Sequence, residues 1–322
     1  MKPSHAHLVL GGCAALAFVV SLLAGPQGLG LPSGSEAARL VLLEIRLPRA
    51  ILGFLIGAVL GLSGAVLQGY LRNPLAEPGL IGVSGGAALG AVTAIHSGMA
   101  AMFPLALPAG GLLGAGLATL VVVLLAGELT GPVTLILAGV AVSSLAAALT
   151  SLALNLAPNP FAASEMLYWL MGSLTDRSLL HVWLAAPLML AGGLVLFSVA
   201  RDLDALTLGE EAALNLGVDP VSLRHRVIAG TALAVGAATA VAGAIGFVGL
   251  VVPHLLRPIV GQEPGRLLIP SCLGGAALVL TADVALRLLS PAGDLRLGVV
   301  TALLGAPFFL WLVLRTRAEL NP

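Results

Sequence analysis

The chain has 322 residues, 58% of them hydrophobic and 9% charged, with 15 basic and 15 acidic side chains and a formal net charge of zero. Soluble domains carry about 25% charged residues, so too little polar surface is present to cover a water-facing globule. With a mean hydropathy of +1.06, a water-soluble secreted protein is excluded, and no basic tract favours nucleic acid.

Apolar runs long enough to span a bilayer need about 20 residues and are parted by short polar or Pro/Gly breaks. Such runs fall near 7–25, 46–71, 80–98, 105–126, 133–155, 180–200, 226–244, 246–260, 267–289 and 296–315. The expectation is an all-α polytopic membrane protein, a single domain over 1–322 with about ten transmembrane helices in a compact bundle. In the first run, "LGGC" at 10–13 comes too early for a processed leader, and the apolar stretch continues to Ala24, so a retained span is expected. Cys13 and Cys272 lie in apolar runs and read as small core residues rather than a disulfide or metal ligands.

The second run opens on "RLPR" at 46–49. Pro48 suits a first helical turn, which would put Arg46 and Arg49 at a water-facing mouth. There they act either as interfacial anchors or as an electrostatic dock for an acidic partner. Gly53, Gly57 and Gly61 recur every fourth residue and make a smooth stripe where another helix can approach. The run closes on "NPLAEPG", where Asn73, Pro74 and Pro78 predict a tight hinge. "GVSGG" at 82–86 lacks the Lys-Ser/Thr of a phosphate-binding loop, and the only lysine is Lys2, so any ATP must be hydrolysed by another chain. "SGAVLQGYLRNP" and "AGAIGFVGLVVP" trace an internal repeat, as in transporters built from related halves.

Further along, 156–179 reads as an outer loop with a short interfacial helix carrying Tyr168 and Trp169. The most charged stretch, 201–222, reads as a connecting loop on the inner side. Within it, Glu210 and Glu211 favour the start of a short helix "EEAALNLG" that Gly217 ends. Ala212, Ala213, Leu214 and Leu216 give that helix an apolar face suited to a partner's groove. "AGAIGFVGL" is either a turn between the seventh and eighth spans or a kink in one helix. His254 and Arg257 are ionisable residues within the eighth. Asp283 and Arg287, four residues apart, predict a structural ion pair that offsets the roughly 2.5–3.5 kcal/mol cost of an unpaired mid-membrane charge. No metal-binding or cofactor motif is present. Basic residues favour one set of loops nine to six, which places the N-terminus inside.

Taken together, "RLPR", "SGAVLQ", "NPLAEPGLIGVSGGA", "LYWLMGSL", "LGEEAALNLGV", "GFVGLVVPHLLR", "ADVALR" and "GVVTALLGAPFFLWL" resemble one family. It is the permease subunits of bacterial ABC importers for iron–siderophores, haem and cobalamin, the FecCD type, and the likeness runs from about residue 40 onward. The resemblance implies a type II ABC importer permease fold in the bacterial cytoplasmic (inner) membrane and a homodimer with the pathway on its two-fold axis. Two cytoplasmic ATP-binding subunits and a periplasmic substrate-binding protein are implied partners, with membrane lipid around the bundle and no cofactor. It further implies binding-protein docking by Arg46, Arg49 and Arg287, and ATPase coupling through Glu210, Glu211, Ala213, Leu214 and Gly217. Ser143, Ser144 and Asn155 become pathway-lining candidates. The competing expectation is an ion-gradient-driven secondary transporter, for which Asp283, Arg287 and His254 would have to supply the ion site.

Overall fold

The computed structural model of the protein describes residues 3–25, 28–30, 36–127, 131–290 and 295–320. The chain begins with α1 (Pro3–Leu23), a minimal hairpin of β1 (Ala24–Gly25) and β2 (Gly28–Leu29), and α2 (Glu36–Leu40). A π-helical turn (Val41–Arg46) leads into α3 (Leu47–Tyr70), and a 3-10 turn (Pro78–Ile81) into α4 (Val83–His96) and α5 (Met99–Met102). Next come α6 (Ala106–Ala126), α7 (Pro132–Asn155), α8 (Pro160–Leu170) and α9 (Leu179–Ser198). The Glu210 region holds α10 (Ala200–Leu206) and α11 (Glu210–Asn215). The chain closes with α12 (Pro220–Ala242), α13 (Val248–Val260), α14 (Pro264–Leu289) and α15 (Leu297–Leu320).

Among the described residues, eight helices are long and apolar enough to cross a membrane, and α4 and α13 are shorter apolar helices. These correspond to the ten apolar runs. The region between the seventh and eighth runs is a true break: α12 ends at Ala242, Gly243 has φ 73°, and Phe247 opens α13 at φ 67°. Both short helices begin inside the bundle. Gly249, at the start of α13, lies against the Leu60 carbonyl and Gly64, half-way along α3.

One sequence expectation is refined and one corrected. Pro48 does sit in the first turn of α3, but α3 is not a fresh start, because the helical segment runs without a break over Ala38–Tyr70. The π turn before it widens the ladder, with the Leu47 N–H reaching the Leu42 carbonyl, so the N–H that proline lacks leaves no tight α-turn broken. Cys13 is exposed on the bundle surface rather than in the core, while Cys272 is half-buried, and neither forms a disulfide.

The glycine stripe of α3 meets α14. A Cβ on Gly57 would sit 2.3 Å from the Gly275 carbonyl oxygen, and one on Gly61 2.0 Å from that of Ser271. Reciprocally, a Cβ on Gly275 would sit 2.1 Å from the Gly57 oxygen. The two backbones are in direct contact, which only glycine permits. Outward-facing leucines such as Leu124, Leu194 and Leu303 remain exposed, as lipid-facing surfaces require.

Candidate docking and coupling sites

The helices run alternately between two ends of the bundle. One holds Arg49, the C-termini of α1 and α14, and α8; the other holds α10, α11 and the 71–77 turn.

At the Arg49 end, Asp283 of α14 is 1% exposed and carries two guanidiniums. Arg49 donates to it through Nε (3.0 and 3.1 Å) and Nη2 (2.7 Å). Arg287 Nη2 lies 2.9 Å from Oδ2 one helical turn away. Arg287 also donates to the Ser21 carbonyl (2.9 Å), the Ala24 carbonyl (3.1 Å) and Ser21 Oγ (2.6 Å). Arg46 donates to the Leu22, Leu23 and Gly30 carbonyls at 3.1, 3.0 and 2.8 Å. The last carbonyls of a helix have no partner within it and favour cations, so Arg46 and Arg287 both cap α1. The arginines are therefore not simply water-facing: the side chain of Arg49 is 12% exposed and that of Arg287 is 9% exposed. Arg49 and Arg287 share one carboxylate while Arg46 caps the helix beside them, so these four side chains together carry a net positive charge.

At the opposite end, Glu210 opens α11 and pairs with Arg72 at 2.9 Å across the surface. Glu211 is exposed. Gly217, at φ 86°, ends α11 with the Val218 N–H bonded to the Ala213 carbonyl at 3.0 Å, a left-handed cap that favours glycine. Ala213 departs from the expected outward face: it is 2% exposed and packs into the bundle core. The exposed apolar surface is instead Leu208, Leu214 and Leu216, at 68%, 53% and 64%.

Between the ends, Gln68 of α3 donates to the Gly249 and Leu250 carbonyls (3.1 and 3.3 Å), and Arg257 donates to its Oε1 at 2.9 Å. His254 packs edge-on against Phe308, ring centroids 5.6 Å apart. Glu77 lines a small cavity with Pro78, Gly79, Ser84 and residues 244–247, where α4 and α13 both begin. Burial holds its carboxyl above the ordinary value, partly offset by the Phe247 N–H that it accepts. Sequence reasoning passed over Glu77; its signal was a single carboxylate between two prolines in a nearly uncharged stretch.

The pathway candidates separate. Ser143 is half-buried and donates to the Gly79 carbonyl at 3.4 Å, Ser144 is exposed beside it, and Asn155 is exposed at the far end of α7. No group of three or more potential metal ligands occurs among the described residues.

Residues 8–315 match the FecCD transport family. The chain belongs to it. The Halobacterium salinarum cobalamin import system permease BtuC is 40% identical over 313 residues, covering 96% of this chain and 82% of the relative. The Klebsiella pneumoniae vitamin B12 import system permease BtuC is 39% identical over 305 residues, covering 94% and 91%. Among solved structures, a metal-chelate type ABC transporter in an inward-facing conformation superposes with a TM-score of 0.87 at 33% identity, covering 96% of this chain and 98% of the other. The protein is thus a multi-pass permease of the cytoplasmic membrane, of the vitamin B12 and metal-chelate ABC importer type. Its relatives are transport permeases, not enzymes.

Proposed function

We propose that this chain is the membrane subunit of an ATP-driven importer for cobalamin, working as a homodimer by alternating access. The observation that carries the substrate is identity near 40% over more than nine-tenths of this chain to relatives named for vitamin B12 or cobalamin import. Iron–siderophores and haem are the competing metal-chelate cargoes.

Energy enters from separate ATP-binding subunits at the Glu210 end, which is then cytoplasmic and places the N-terminus inside. The exposed leucines of the 208–216 segment support this, since a water-facing apolar patch on a short helix suits a partner's cleft. The Arg72–Glu210 ion pair links that helix to the 71–77 turn across the exposed surface. A binding protein docks at the Arg49 end, where Arg46, Arg49 and Arg287 outnumber Asp283 and attract an acidic surface. Ser143 and Ser144 on α7 line the pathway on this reading.

The test is the reconstituted complex of permease, ATPase and binding protein in proteoliposomes. ATP-dependent accumulation of labelled cyanocobalamin, not of a ferric siderophore or haem, is the expected result. Accumulation of either iron compound in preference to cobalamin overturns the substrate. Uptake by the permease alone after a pH step overturns the ATP-driven mechanism in favour of a secondary transporter.

A further inference from the structure

A second cationic cluster lies at the Arg49 end, outside the Asp283 network. Three backbone segments cross there in direct contact. The Ser173 N–H bonds the Ala242 carbonyl at 2.7 Å, and the Gly298 N–H bonds the Gly172 carbonyl at 3.3 Å. A Cβ on Gly298 would lie 2.3 Å from the Met171 oxygen, and one on Gly172 2.3 Å from that of Ala244. Leu174 and Leu297, 1% exposed each, anchor the flanking residues. The crossing fixes Arg177, just beyond it in the 171–178 loop, and Arg296, just before α15.

These two arginines are half-buried, and the Nε of each is shielded from solvent without a hydrogen-bond partner among the described residues. Neither takes part in an ion pair among those residues, whereas Arg49, Arg72, Arg226, Arg266 and Arg287 all do. Tyr168 of α8 offers its ring face to Arg296, with Cζ 4.9 Å from the centroid. Stacking on an aromatic face engages the flat face of the guanidinium and does not use up its in-plane N–H donors. Burial pushes the Arg177 guanidinium down from its ordinary range, and Arg296 adds to this while the neighbouring Asp176 opposes it. A buried donor left unpaired is destabilising, because it has lost its water without gaining a partner. Two such donors beside like charges are completed by an anion, and guanidinium forks match carboxylate and phosphate oxygens.

We infer that Arg177 and Arg296, backed by Tyr168, form an oxyanion site at the outer end of the permease that takes one carboxylate or phosphate group. The placement at the outer end rests on the permease reading above; the anion chemistry does not. The group comes from a small solute entering the pathway or from a lipid headgroup, and the experiment separates the two.

The purified permease is placed in nanodiscs of neutral phosphatidylcholine and titrated calorimetrically with inorganic phosphate and with citrate, then transferred to phosphatidylglycerol nanodiscs. Saturable binding of either solute in neutral discs, weakened about tenfold (about 1.4 kcal/mol) by R177Q/R296Q and less by R177K/R296K, supports a solute site. No solute binding in neutral discs, together with preferential retention of phosphatidylglycerol that the double variant loses, supports a headgroup site. R39Q, at an exposed arginine, leaves both readouts unchanged. The single variants R177Q and R296Q, each with a partial loss, serve if the double variant does not fold. Equal behaviour of wild type and the glutamine variants toward both solutes and both lipids overturns the site and leaves the importer assignment untouched.

Discussion

Asp283→Asn removes the one carboxylate that joins α3 to α14 at the Arg49 end while keeping the volume of the side chain. Breaking a buried ion pair by removing one partner costs about 3–5 kcal/mol, because the remaining charge is left uncompensated. The two guanidiniums do not share that loss equally. Arg287 keeps four acceptors, the backbone carbonyls of Ser21, Ala24 and Asp283 and Ser21 Oγ, whereas each side-chain hydrogen bond described for Arg49 ends on the Asp283 carboxylate. Two double-mutant cycles, D283N with R49M and D283N with R287M, therefore give different coupling energies. The first reaches the upper part of the about 0.5–3 kcal/mol range for contacting residues, and the second is smaller. The assay is reversible unfolding of the detergent-solubilised permease by a denaturant series, with free energies for wild type, each single variant and each double variant. A coupling with Arg287 equal to or larger than that with Arg49 refutes the reasoning. So does additivity within about 0.5 kcal/mol for both pairs, the limit expected of independent sites.

Three further outcomes follow from the same geometry. L208D/L214D/L216D abolishes copurification with the ATPase while leaving the permease's melting temperature near wild type, whereas A213D lowers that temperature itself because Ala213 is 2% exposed; loss of ATPase binding in neither variant refutes the coupling role. Gly61→Ala destabilises by about 1–3 kcal/mol as overpacking, since its Cβ meets the Ser271 carbonyl oxygen at 2.0 Å, while Gly53→Ala costs less because its nearest atoms are Leu280 Cδ2 and Leu174 Cδ1; equal melting shifts contradict this. Glu77 has a folded-state pKa raised above its ordinary 4.5 by burial; the folded protein therefore holds that proton more tightly than the unfolded chain, and stability falls as pH rises from about 4.5 through the raised value. Glu77→Gln removes this fall, and identical pH–melting profiles for the two proteins count against it.

The spans were readable because hydropathy and Pro/Gly breaks act within a few residues of one another. The two short helices were legible only as apolar runs at 80–98 and 246–260; that α4 and α13 are shorter than a full span was not, because the sequence left the break before α13 as either a turn or a kink. The glycine stripe at 53, 57 and 61 told that a helix packs closely there, but not that it would be α14, since a stripe carries no information about its partner. The amphipathic segment at 210–217 showed that one face must be buried and one exposed. It did not show which, and Ala213 turned inward because small size suits the packed side while Leu214 and Leu216 were left facing water.

The polar sites were least readable where they depend on separation along the chain. A four-residue spacing on one helix made Asp283 and Arg287 an obvious pair, and they do lie 2.9 Å apart. Yet the shortest and most numerous contacts to Asp283 come from Arg49, 234 residues away, which no local rule reaches. That difference changes how docking must be probed. Reversing the charge of Arg49 or Arg287 strips or repels a buried carboxylate, so weaker binding-protein affinity in such a variant reports the fold as much as the dock. Arg46 is separable, because its acceptors are the neutral carbonyls of Leu22, Leu23 and Gly30, and its loss uncaps one helix end without unbalancing the buried carboxylate. An electrostatic dock therefore shows itself most cleanly through Arg46→Gln. Its effect on binding-protein affinity must fade as salt shortens the screening length below about 8 Å, because the loss of a neutral cap has no such dependence.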